Sequence, residues 1–201
     1  MSRFLQALLV VPALVLAAAT AAPADEEGFF DAYRSGDPNF PVAFEYPADW
    51  KVMPPRTTEE RLTSVQVVAP PSEGIHGFII LTVSVQPLKV AGGHYASADE
   101  LIQLYKSQLP PGSEPGEATV LGVTAIKLPM RTQGLPPWHG APSEMPPRKG
   151  ERVVFERDGQ LYELSWLAPE EVAPQAAAAF KRLLRTLALV DESAPPAPAA
   201  P

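Results

Sequence analysis

Arg152–Leu167 reads RVVFERDGQLYELSWL, and this stretch decides the fold. Its halves, Arg152–Glu156 and Gln160–Leu167, are joined through Asp158-Gly159, a dipeptide that tolerates the positive φ angles of a tight hairpin turn. The two halves are therefore expected to pair antiparallel. Outward from this hairpin, apolar alternation marks further strands. In Phe78–Gln86, Ile79, Leu81, Val83 and Val85 point one way, while Phe78, Ile80, Thr82 and Ser84 point the other. Thr63–Ala69 reads the same way, and the near-continuous apolar character of both predicts central strands buried on two sides. Shorter strands are expected at Val42–Tyr46, Trp50–Met53, Ala118–Leu121 and Thr124–Pro129.

Two segments have helical spacing instead. Ser97 followed by Glu100 is a capping-box pattern, and Leu101, Leu104, Tyr105, Gln108 and Leu109 fall on one face, which predicts a helix over Ala98–Leu109. The second is expected from Pro174, acceptable in a first turn, to Leu189, with Ala176, Phe180, Leu183, Leu184 and Leu187 as its buried stripe. Glu170 and Glu171 precede it, and Lys181, Arg182 and Arg185 lie towards its end, which complements the helix dipole. The 25 prolines concentrate in connections such as Pro54-Pro55, Pro70-Pro71, Pro110-Pro111 and Pro136-Pro137, each an element boundary. Strands, helix, strands, helix is the order of an α+β domain with a mainly antiparallel sheet packed by helices.

The N-terminus has a different character. Arg3, the apolar run Phe4–Ala19 and the small residues Ala17–Ala24 make the three regions of a secretory signal peptide. Cleavage fits after Ala21 or after Ala24, and the second avoids a proline just past the cut. The alternative, an uncleaved anchor, is disfavoured because the stretch is short for a bilayer span and contains Gln6 and Pro12. Removing 24 of the 201 residues leaves 177, enough for one domain with a hydrophobic core. The whole chain carries a net charge of −7, and Arg3 is the one charged residue in 1–24, so the mature form is near −8. Such a surface argues against nucleic acid and anionic membranes as partners. With no cysteine there is neither a disulfide nor a lipid-accepting thiol, so no stable membrane anchor is expected and the core alone must hold the domain. The expected organisation is a signal peptide over 1–24, a flexible segment over 25–39, the folded domain over 40–190 with a proline-rich loop at 131–150, and a disordered tail over 191–201, where SAPPAPAAP has nothing to bury.

Several segments, in order, resemble the PsbP-like proteins, named for the extrinsic subunit of photosystem II. Phe44-Glu45-Tyr46-Pro47-Ala48-Asp49-Trp50-Lys51-Val52 is similar to that family's opening strand-turn-strand. Gly122–Ala125 followed by Lys127-Leu128 resembles its Gly-x-x-Ala strand. Tyr162-Glu163-Leu164 through Ala168-Pro169-Glu170, with Phe180–Leu187 after it, looks like its closing strand and final helix. The resemblance spans Phe40–Leu189 and implies an α-β-α sandwich, a fold shared with a nuclear-import protein that binds the small GTPase Ran. It further implies a protein-binding role; the photosystem members also help retain calcium and chloride. The family supplies fold more securely than function.

Catalytic signatures are absent: no G-x-S-x-G, P-loop, H-E-x-x-H or G-x-G-x-x-G, and no thiol nucleophile. His76, His94 and His139 stand far apart, and His76 and His94 flank opposite ends of Phe78–Gln86, about 25 Å apart if that strand is extended. A shared metal is not expected. Ser84 and Ser165 read as sheet-surface residues with no base assigned. Asp25, Glu26 and Glu27 read as solvated charge rather than a cation cage. The segment 131–150, RTQGLPPWHGAPSEMPPRKG, is long for a loop and sets Trp138 beside His139. Trp138 either anchors a partner or folds back to cover the core. The expected function is an exported, non-enzymatic binding or assembly-support protein, without cofactor, whose partner is another envelope protein and whose candidate contact residues are Trp138 and His139. The alternative is a periplasmic protein that binds a small ligand or metal ion.

Overall fold

Asp158 and Gly159 have φ of 52° and 73°, the paired positive values of a two-residue hairpin turn. They join β9 (Arg148–Arg157) to β10 (Gln160–Pro169), which pair antiparallel over their whole length, as the dipeptide required. The structure, a computed structural model, describes residues 29–72, 77–132 and 146–190. Around the hairpin the remaining strands are β1 (Phe30–Arg34), β2 (Val42–Pro47), β3 (Lys51–Val52), β4 (Arg56–Thr57), β5 (Thr63–Val68), β6 (Ile80–Pro87), β7 (Gly116–Val120), β8 (Val123–Thr132) and β11 (Ala188–Leu189). The large sheet runs β3-β5-β6-β10-β9-β8-β7, with β4 also on β5, and a small sheet runs β1-β2-β11. Every pairing is antiparallel.

Helix α2 (Ala173–Thr186) and the small sheet seal one face of the large sheet. There Phe180 and Leu183 meet Val83, Val85, Phe155, Tyr162 and Leu164, all buried, together with Phe40 and Phe44. The rings of Phe155 and Tyr162 stack with centroids 4.9 Å apart. Helix α1 (Ala98–Lys106) lies on the opposite face, where Leu101 and Ile102 cover Leu128, Val154 and Leu161. The layers are thus helix, sheet, helix, with a small sheet added beside α2. Gly150 in β9 allows the tightest strand approach, since a Cβ there would stand 2.0 Å from the Trp166 carbonyl oxygen.

The structure corrects several expectations. The segment 25–39 holds a strand: Phe30–Arg34 pairs with β2, Tyr33 stacks on Phe44 at 5.0 Å, and the Arg182 guanidinium lies 4.7 Å over the Phe30 ring. The proline-rich connection is shorter than 131–150, because Thr132 and Arg148 are already a register pair of β8 and β9. Trp138 and His139, with the rest of 133–145, lie outside the described residues, as do 1–28, 73–76 and 191–201. The Ser97 hydroxyl caps α1 by accepting from the Glu100 N–H, but the Glu100 carboxylate returns to the Ala96 N–H and not to Ser97. The buried stripe of α1 is Leu101, Ile102 and Tyr105, leaving Leu104 exposed. Helix α2 ends at Thr186 because Leu187 turns extended and Ala188–Leu189 pair with β2, a ladder that satisfies backbone groups a further helical turn would leave at a frayed end.

Two-sided burial fails along β5 and at the start of β6, whereas Val83–Gln86 of β6 are buried on both faces. Thr63, Val65 and Val67 are buried, but Ser64 and Val68 are half-buried and Gln66 is exposed; on β6, Ile80 and Thr82 are half-buried. The reason is one of size. Helix α1 has nine residues and is about 13 Å long, whereas the strand spacing makes the large sheet about 29 Å wide. It sits over β8 and β9, so the far half of that face has no helix.

Candidate binding surface

The strand registers order the α1-side face of the sheet in three rows, of which the part on β5, β6 and β10 away from α1 is open. Val68, Ile80, Leu167, Gly150 and Met130 form an aliphatic row across β5, β6, β10, β9 and β8. Gln66, Thr82, Ser165 and Arg152 form a polar row beside it, and Ser64, Ser84 and Glu163 a third. Val68, Ile80, Thr82, Ser165 and Leu167 are all half-buried although β6 and β10 are central strands, so solvent reaches the middle of the sheet. Phe78, just before β6, is 51% exposed at the aliphatic end.

A charged brace separates this open face from α1. The Tyr105 hydroxyl donates to Glu163 Oε2 at 2.9 Å, and the Arg152 guanidinium lies 3.6 Å over the Tyr105 ring. Arg152 Nε stands 2.7 Å from Glu163 Oε1, an ion pair in which the N–H is not aimed along a hydrogen bond. Burial, then the Glu163 charge, raises the Tyr105 pKa well above the ordinary tyrosine value, so the phenol remains a donor far into alkaline solution. Both Glu163 oxygens are occupied, and the cluster fastens α1 to β9 and β10.

Arg148 presents a contrasting case at the aliphatic end. Its Nη2 donates to the carbonyl oxygens of Phe78 at 2.6 Å and of Leu167 at 3.3 Å, so the side chain reaches from β9 across β10 to the start of β6. Its Nε is buried without an acceptor, and no carboxylate among the described residues pairs with it. Burial lowers its pKa from the usual arginine value, yet a guanidinium stays charged at physiological pH.

Trp50 and Trp166 are core, at 4% and 7% exposure. Ser84 and Ser165 lie on the open face, Ser84 buried and Ser165 half-buried. His94 is exposed in the loop before α1, edge-on to Tyr95 with centroids 4.7 Å apart. His76 lies outside the described residues. Among the described residues no three His, Asp or Glu side chains gather to hold a metal ion. A hollow of about 540 Å³ lies between Phe29, Trp50, Pro174 and Ala178, on the α2 side. Sequence reasoning missed Arg148, which fell within the proline-rich stretch; the alternation Arg148, Gly150, Arg152 on one face of a strand was the available signal.

One sheet with a sealed face and a half-covered face, flanked by two helices, defines an α+β sandwich. Within that class the chain has the PsbP-like fold. It superposes on cyanobacterial PsbP (CyanoP) from Synechocystis sp. PCC 6803 with a TM-score of 0.50 and 13% identity, covering 84% of this chain and 98% of that one. A crystal structure from Bacteroides thetaiotaomicron VPI-5482 matches with a TM-score of 0.51 and 13% identity over 81% of this chain; this chain spans about half, 49%, of that protein. LpqN, described as involved in cell envelope biogenesis of Mycobacterium tuberculosis, matches with a TM-score of 0.48 and 16% identity, over 81% of this chain and 91% of LpqN. By sequence the chain matches no family model and no curated protein. No helix among the described residues is long and apolar enough to cross a membrane.

Proposed function

We propose that the mature chain is an exported, non-enzymatic binding or assembly-support protein that engages another envelope protein through the open face of its sheet. The observation that carries this reading is the half-exposure of Val68, Ile80, Thr82, Ser165 and Leu167 on or beside central strands, in a row-and-column arrangement that the register fixes. Aliphatic side chains in the middle of a sheet face have no stabilising reason to meet water, and a broad, partly apolar surface rimmed by polar groups suits a protein partner. The leader read in residues 1–24 supports action outside the cytoplasm.

The test is capture from native envelope extract. Gln66→Arg puts a bulky charge at an exposed position in mid-face, and it should abolish capture of the specific partner without lowering the melting temperature. Lys181→Glu, on the exposed side of α2, should leave capture intact. Undiminished capture by the Gln66 variant would remove the open face from the account. Trp138→Ala is a separate arm, expected to weaken capture without affecting stability.

A further inference from the structure

The open face also indicates what its partner must present. The half-buried Arg152, Arg157 and Arg182 each meet a carboxylate, at Glu163, Asp158 and Glu45, whereas the half-buried Arg148 meets none among the described residues; Arg34, Arg56 and Arg61, also without an ion pair, are exposed. Arg148 is nonetheless held in place, pinned by the Phe78 and Leu167 carbonyls, with its Nε buried and without an acceptor. A partly desolvated charge without a counter-ion costs stability, and that cost is recovered when a carboxylate arrives. The pinned guanidinium is preorganised, so little rotamer entropy remains to be lost on binding. Around it lie Phe78, Ile80 and Leu167, apolar area still open to solvent.

We propose that the open face takes a protein segment that sets an acidic side chain, flanked by aliphatic residues, against the Arg148 guanidinium. This rests on the docking reading of the same face. Lipid is the disfavoured source of the anion, because a chain of net charge −7 is repelled by an anionic bilayer.

A photo-crosslinking residue in place of Gln66 would be activated in native envelope, and the crosslinked segment mapped by mass spectrometry. That segment is then synthesised twice, with its acidic residues and with the corresponding amides, and titrated against the wild-type mature protein, Arg148→Met and Arg148→Lys. The acidic peptide should bind the wild type about tenfold or more tighter than the amide peptide, the range of an arginine hot spot. Arg148→Met should erase that difference; its melting temperature is read alongside, because the change removes an uncompensated charge and two hydrogen bonds to the Phe78 and Leu167 carbonyls together. Arg148→Lys, which keeps the charge without the fork, should retain part of the difference and covers the case in which the Met variant fails to fold. Equal binding of the two peptides to wild type, a mapped segment without an acidic residue, or a difference that survives Arg148→Met would each overturn the carboxylate claim and leave docking at this face standing. Arg148-dependent binding to vesicles containing phosphatidylglycerol, with no peptide preference, would overturn it in favour of lipid. Absence of any crosslink at Gln66 would overturn both.

Discussion

Tyr105 and Arg148 show two uses of polar chemistry on one sheet face. Tyr105 is held by Glu163 and roofed by Arg152, so its polar atom is satisfied internally. Removing the hydroxyl in Tyr105→Phe should cost about 1.5–3 kcal/mol of unfolding free energy, the worth of one hydrogen bond to a charged acceptor. The pH dependence has a definite sign. The folded-state pKa is raised, so the phenol's contribution is complete below the unfolded value near 10 and is lost as pH rises through the folded value. Thermal melts from pH 9 upwards should therefore fall more steeply for wild type than for Tyr105→Phe; parallel curves would contradict the assignment. The Tyr105–Glu163–Arg152 contact was not legible in sequence, because the packing of α1 on the sheet brings Tyr105 to a Glu163 that lies 58 residues away, beside an Arg152 that the β9–β10 register supplies. Arg148 was hidden by its proline-rich neighbourhood, which reads as loop although the strand already starts there.

Elements whose determinants are local were the readable ones. The β9–β10 hairpin follows from Asp158-Gly159 alone, and the N-cap of α1 from Ser97. The amphipathic stripe of α2 was read correctly at Ala176, Phe180 and Leu183, which are buried; Leu184 is half-buried, and Leu187, also buried, lies past the end of the helix. What failed depended on neighbours distant in sequence. β1 carries the alternating charges Asp31 and Arg34, and it is a strand because β2 offers a ladder and Phe44 a ring to stack on. β5 looked centrally buried because its valines are apolar in sequence, but α1 is too short to reach it. The two helices should accordingly respond differently to truncation. Phe180→Ala, fully within the α2 core at 2% exposure, should lower stability by about 3–5 kcal/mol. Leu104→Ala on α1, 44% exposed, should change it by no more than about 0.5 kcal/mol. Chemical denaturation of the two variants side by side measures both.

At the scale of the molecule, the α+β class was recoverable from the residue pattern and the helix–sheet–helix layering from the PsbP-like resemblance, whereas the asymmetry between the two faces was not. One face is closed by α2 and a small sheet, and the other is closed only where α1 sits. The α+β architecture comes from the succession of periodic segments; the open half-face comes from a comparison of helix length with sheet width, which needs the strand order. An acidic domain without cysteine, stabilised by a continuous core on its sealed side, can leave that half-face uncovered and still fold. Its polar rows limit self-association, while its aliphatic row supplies area for a partner.

The central claim is that this half-face is where the protein binds. Hydroxyl-radical footprinting of the mature protein, alone and in native envelope extract, tests it most directly. The account predicts protection concentrated at Val68, Phe78, Ile80 and Leu167, with Leu104 and the exposed side of α2 unchanged. Protection that falls instead on α2 and the hollow beside Phe29 and Trp50, or no change at the four open-face residues, would contradict it.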